Sequence, residues 1–279
     1  LFPPWFNGTM STTKTALAIH GGAGTIPATA LDAATANAHH SALRAALAAG
    51  WAVLAKGGAA LDAVTASVMA LEDDPLFNAG HGAVFTSAGK LEMDAAIMEG
   101  AMRRAGAVAG ICGPKNPILA ARAVMEYSGN VLLAGSGAME FLRAQGLELM
   151  PEVYFATQRR LDALHLELTR RASGAPDTRS DADRHGTVGA VARDASGNLA
   201  AGTSTGGFTA KRPGRVGDAP VIGAGTFADN ETCAISTTGT GGIHPFHRRC
   251  RNFGPYPPCR PKPGSSGHCR YCRIIVPWR

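Results

Sequence analysis

The 279-residue sequence has no apolar run near the ~20 residues of a membrane-crossing helix, which excludes a helical span. Leu1 to Thr9 lacks the basic flank and apolar stretch of a secretion signal, and Met10 reads as an ordinary start behind extra upstream residues. Cysteine is scarce before Gly242, where only Cys112 and Cys233 occur, as expected for the cytoplasm. A charged fraction of 17% is too ordinary for a wholly disordered chain. Acidic residues are missing altogether from Gly242 to Arg279. That tail holds eight of the 27 basic residues and carries +8, whereas the body sets 19 basic against 21 acidic residues. The overall +6, which would otherwise suggest an anionic partner, belongs to the tail; for the body no nucleic acid is expected.

What is present reads as helices mixed with strands. Ala16 to Ile19 predicts a buried strand running into a turn at His20-Gly-Gly-Ala-Gly24. Ala30–Lys56 and Gly58–Leu71 predict helices, the second with Leu61, Val64, Val68 and Leu71 on one stripe. Paired strands are expected at Ala83–Thr86 and Lys90–Met98, and short helices at Pro117–Tyr127 and Met139–Gln145. From Thr157 the chain turns polar, with a flexible linker over 173–186. Strands follow: a hairpin of Thr187–Arg193 and Asn198–Ser204, then Val221–Gly225 and Cys233–Thr237.

Several local patterns fail as sites. Gly202-Thr-Ser-Thr-Gly206 fits the serine-esterase elbow, but Pro213 and Gly214 forbid the long helix that must follow it. His20 to Gly24 and Gly135 to Gly137 lack both G-x-G-x-x-G and the P-loop lysine. Thr187 behaves differently. It opens a strand directly behind Gly186 and the polar linker. Cutting Gly186–Thr187 would give one residue both a hydroxyl and an α-amine, whose ordinary pKa of about 7.7–8.0 suits it to take the hydroxyl proton.

Thr187-Val-Gly-Ala-Val191, Thr203-Ser-Thr-Gly-Gly207, Pro213-Gly-Arg-Val-Gly-Asp218 and Ser236-Thr-Thr-Gly-Thr-Gly241 stand in an order and spacing that resemble those of one known family. With His20–Gly24, Gly58–Val64, Phe77–Gly80 and Leu91–Ala95 upstream, residues 16–241 resemble the plant-type asparaginase / isoaspartyl peptidase family of N-terminal-nucleophile hydrolases. The resemblance implies an α/β fold, a four-layer α/β/β/α sandwich, here C-terminally incomplete. It implies self-cleavage between Gly186 and Thr187 into 16–186 and a second part whose family-like region is 187–241, flanked by a non-family extension at 1–15 and the tail at 242–279. Thr187 would be the nucleophile and Thr205 its hydrogen-bond partner. Arg215 would take the substrate α-carboxylate, Asp218 its α-ammonium, and Thr238 with Gly239 the oxyanion. Asn78 would support substrate binding. The implied substrates are L-asparagine and β-aspartyl dipeptides. No cofactor is implied for catalysis, while Leu71, Glu72, Phe77 and Ala79 resemble the loop that holds a structural sodium ion. A dimer of cleaved protomers, away from any membrane, is the implied assembly.

The tail departs from this resemblance. Reading Gly242-Ile-His-Pro-Phe-His247 back into codons and shifting by one base permits Ala-Phe-Ile-Arg-Phe-Thr, the kind of segment the family carries there. A frame change after Gly241, leaving an inactive precursor, is therefore an alternative expectation. Another is a zinc-binding, nucleic-acid-binding appendage using Cys250, Cys259, Cys269, Cys272, His244 and His247, although C-x8-C-x9-C-x2-C lacks paired C-x2-C knuckles.

Overall fold

The computed structural model describes residues 15–22, 32–176, 186–239 and, as backbone, 271–277. Most of the N-terminal extension, most of the linker, and the candidate zinc ligands His244, His247, Cys250, Cys259 and Cys269 lie outside the described residues. Among the described residues no helix is long and apolar enough to cross a membrane.

Six strands form the main sheet: β1 (Ala16–His20), β2 (Met93–Glu99), β3 (Ala105–Ile111), β4 (Leu132–Ala134), β5 (Val188–Arg193) and β6 (Leu199–Thr205). Their spatial order is β1-β5-β6-β2-β3-β4, antiparallel except for β3 and β4. The expected hairpin at 187–204 is β5 and β6. Its turn closes on Asp194, which accepts the amides of Ser196 and Asn198. A second sheet holds β7 (Thr226–Asp229), β8 (Cys233–Gly239) and β9 (Tyr271–Pro277) in that order.

Helices α1 (Ala33–Ala55), α2 (Ala60–Glu72) and α3 (Pro117–Tyr127) cover one face of the main sheet. Asp32 caps α1 by accepting the Thr35 amide at 2.6 Å. Side chains alternate along each strand, so Ala190 of β5 and Ile97 of β2 face the helices among Val64, Val68, Val108 and Ile118. Val191, Leu199, Ala201 and Met98 point the other way, onto Ala228 and Ala234 of the second sheet. The described residues thus make three layers, helices over sheet over sheet.

Several expectations need correction. Ala83–Thr86 is not a strand: Phe85 bridges only to Leu91, while Thr86 bridges to Lys211. The partners of β2 are β3 and β6. Val221–Gly225 is a turn ahead of β7, held by the Ala224 and Gly225 amides donating to the Val221 carbonyl. Gly135 to Gly137, which carries no phosphate-loop pattern, begins α4 (Gly135–Ala144), so the helix expected at Met139–Gln145 starts four residues earlier. A short helix, α5 (Glu152–Phe155), precedes the polar stretch, which is itself α6 (Gln158–Ala172). It is capped by Thr157 and buries Leu164 and Glu167.

Ile97 is fully buried between sheet and helices. Ile97→Ala should cost about 2–5 kcal/mol of folding stability. The expected reading is a lower urea midpoint at unchanged slope, and an unmoved midpoint would refute this account of the core.

Candidate active site

The site grows from strand ends. Val188 of β5 pairs with Ser204 of β6, so Thr187, just outside the ladder, lies beside Thr205, the last residue of β6. The Thr187 hydroxyl donates to Thr205 Oγ1 at 2.9 Å, and the Gly207 amide donates to the same oxygen at 2.9 Å. Both threonines are buried. Asp94 of β2 pairs with Thr205 from the other side, at a register shift in the β2–β3 ladder. Bulges of this kind re-aim side chains next to active sites.

Beyond β6 the chain loops through Gly207 to Asp218 and returns over the strand ends. Glu92 and Asp94 hold this loop from below. Glu92 Oε2 accepts the Gly214 amide at 2.8 Å and Asp94 Oδ2 the Gly217 amide at 3.3 Å, while Lys211, fully buried, donates to the Glu92 carbonyl at 2.6 Å. Arg215 lies with its guanidinium carbon 4.6 Å from the Phe208 ring centroid. Burial lowers the Arg215 pKa, opposed by Asp94 and Asp218, and burial raises that of Asp218, opposed by its own amide, Arg215 and Thr237. Thr187, Thr205, Arg215, Asp218 and Gly239 line one cleft with Phe208 at its side.

The remaining sequence-predicted residues lie around it. Thr238 is buried in β8 next to Gly239. Asn78 is buried with both amide atoms engaged: Nδ2 donates to the Gly207 carbonyl at 2.6 Å, and Oδ1 accepts the Val84 amide at 3.0 Å. It braces the cleft wall. Gly186 packs against the main chain. A Cβ there would approach that of Asn78 to 2.8 Å, and one on Gly22, whose φ is 127°, would approach Gly186 Cα to 2.8 Å. Just past the Leu71–Ala79 segment, a Cβ at Gly80 would collide with the Glu72 carbonyl, and one at Gly82 with the Phe77 carbonyl. Among the described residues no three His, Cys, Asp or Glu side chains gather as a metal site.

Sequence reasoning treated His20 as part of a turn and missed Ser236, Asp94 and Lys211 as site supports. His20 Nδ1 lies 3.0 Å from the Thr187 carbonyl oxygen, and Nε2 lies 2.9 Å from Ser236 Oγ. Burial pushes the imidazole down to about 4, against a smaller upward pull from the Thr187 carbonyl. These contacts span 167 and 216 residues, so no local pattern announces them.

Helices over a largely antiparallel six-stranded sheet, with a threonine at a strand mouth, are the build of an N-terminal-nucleophile hydrolase. A family model described as Asparaginase matches residues 13–244. The isoaspartyl peptidase of Escherichia coli (strain K12) is 47% identical over 235 residues, covering 82% of this chain and 73% of that protein. A putative isoaspartyl peptidase/L-asparaginase of Dictyostelium discoideum is 42% identical over 263 residues, covering 82% and 74%. The human isoaspartyl peptidase/L-asparaginase is 47% identical over 204 residues, covering 73% and 65%. The chain belongs to the asparaginase family.

The His20 geometry has a consequence for stability. The unfolded imidazole takes up a proton near pH 6.5, the folded one only near pH 4. The folded form binds fewer protons between those values. Stability is therefore full above pH 6.5 and falls as the pH drops through the window, by roughly 3 kcal/mol at most from this group. Denaturant midpoints measured from pH 4 to 7 should slope less in His20→Gln than in the parent; parallel curves would refute the assignment.

Proposed function

We propose that this chain is a threonine amidohydrolase that cleaves the side-chain amide of L-asparagine and the isopeptide bond of β-aspartyl dipeptides, releasing L-aspartate. One observation carries the reading: Thr187, directly behind Gly186, points its hydroxyl at Thr205 2.9 Å away in the cleft that also holds Arg215 and Asp218. The names of the relatives support it.

Maturation comes first. Thr187 Oγ1 attacks the Gly186 carbonyl, the acyl group moves from nitrogen to oxygen, and water splits the ester. Chain 187–279 then begins with a free α-amine. In turnover that amine takes the Thr187 hydroxyl proton as Oγ1 attacks the substrate's side-chain carbonyl. The Thr238 hydroxyl and the Gly239 amide donate to the charge developing on the carbonyl oxygen. Ammonia or an amino acid departs with the proton, and water hydrolyses the β-aspartyl ester on Thr187. Arg215 offers a planar fork to the α-carboxylate, and Asp218 a carboxylate to the α-ammonium.

The finer architecture belongs to the same proposal. A helical layer over the far face of the second sheet would complete the four-layer sandwich, and two cleaved protomers would pair. A sodium ion would be held by main-chain oxygens of Leu71, Glu72, Phe77 and Ala79. The crowding of the Glu72 and Phe77 carbonyls around Gly80 and Gly82 fits such a cradle. The ion would stiffen the loop that carries Asn78, and no step needs it.

A denaturing gel of purified protein should show chains 1–186 and 187–279, with ammonia released from asparagine. Thr187→Ala should remain one band and release none. Arg215→Ala should mature normally yet raise KM for asparagine by about tenfold or more, the loss of a charge-assisted contact. Ammonia release by Thr187→Ala would end the nucleophile assignment, and an intact parent band without ammonia would mark an inactive precursor.

A further inference from the structure

On the reading of Thr187 as nucleophile, one buried side chain next to it is still unassigned. His20, the last residue of β1, lies opposite Gly189 of β5, which places its ring under the strand mouth. The space exists because residue 189 is glycine: a Cβ there would collide with both Ser236 Oγ and His20 Nε2. A carbonyl oxygen can only accept, so the 3.0 Å contact with Thr187 requires the proton on Nδ1. Nε2 is then the acceptor, and Ser236 donates to it at 2.9 Å. Ser236 in turn lies 2.7 Å from Thr203 Oγ1, on β6 two residues before Thr205. The chain of contacts joins β1, the nucleophile, β8 and β6.

We infer that His20 is a positioning residue for the reaction: it clamps the carbonyl of Thr187 from Nδ1 and, through Ser236, ties that residue to the strand bearing Thr238 and Gly239. The need for such a clamp follows from the cut itself. Once Gly186–Thr187 is opened, Thr187 is a chain end outside the β5–β6 ladder, and chain ends fray unless tied down. The Thr205 contact fixes its hydroxyl and would leave the peptide plane free to turn. The His20 contact fixes that plane, so the hydroxyl and the α-amine keep one orientation towards the oxyanion donors. A donor at this point also joins the two halves of the cut chain without a covalent bond.

The test separates the two ring nitrogens. An asparagine amide reaches about where Nδ1 sits, a glutamine amide about where Nε2 sits. In the full chain, His20→Asn should keep both maturation rate and kcat within about threefold, whereas His20→Gln should lower both by about 30-fold or more, with KM changed less than about twofold. A purely structural histidine would not rank the variants in that order, and equal kcat and maturation rate in both would overturn the inference. Independently of turnover, 15N–1H correlation spectra of the Thr187→Ala full chain at pH 7.5 should show His20 as the Nδ1–H tautomer, because that variant keeps the carbonyl at residue 187. An Nε2–H tautomer would overturn the clamp. Ammonia release by Thr187→Ala would instead defeat the nucleophile reading, and the tautomer would still decide the geometry of His20.

Discussion

The ladder that joins β5, β6 and β2 fixes the cleft, because it sets which residues reach the same end of the sheet. With Val188 opposite Ser204 and Thr205 opposite Asp94, the residues just past the paired region are Thr187 and Gly206. A slip of one residue would turn the threonine hydroxyls to the helix-covered face and bring Ser204 to the other. Both faces of β5 are apolar, with Val188, Ala190 and Ala192 against helices and Val191 against the second sheet, so it is glycine placement that resists the slip: a Cβ at position 189 would strike Ser236 and His20, and one at position 202 would come within 2.7 Å of Val64. Packing some distance from the cleft thus determines where the hydroxyls meet.

A second constraint is electrostatic. Lys211 and Asp94 are both fully buried, and burial disfavours the charged form of each: it lowers the Lys211 pKa and raises that of Asp94. Each partly offsets the other, and Asp94 also accepts the Gly110 amide at 2.9 Å. Removing either group would take from the other its strongest opposite charge, the expensive direction for buried pairs. The loop that carries Arg215 and Asp218 therefore rests on two carboxylates, Glu92 and Asp94, and one ammonium, Lys211. Asp94 also acts on Arg215, which favours the charged guanidinium in the cleft.

Much of this was legible in the sequence where signals are local. The β5–β6 hairpin, α2 and the family motifs stand in short runs with clear periodicity or spacing. β3 was missed because Ala105–Ile111 is alanine and glycine with one valine and one isoleucine, a poor strand by propensity; Gly106 is there because α3 packs so closely that a Cβ would strike the Ala121 carbonyl. α6 was missed because its surface is so polar, and because one of its buried residues is a charged one, Glu167, which pairs with Arg170 and Arg171. Ala83–Thr86 looked like a strand by composition, but its backbone contacts are split between the nearby Lys90–Leu91 turn and the Ala210–Lys211 region, more than 100 residues on. The supports of the site escaped for the same reason. His20 with Ser236, and Glu92 with Gly214, meet only when the sheets stack.

The tight seating of Gly186 between Gly22 and Asn78 bears on the kinetics of maturation. A slot that admits a residue without a side chain, and holds it one peptide bond from Thr187, gives a neighbouring molecule no room to present its own linker. On the proposed mechanism, processing is then first order, with a half-life indifferent to protein concentration. Each molecule starts the clock when it folds and acts on a single bond, its own.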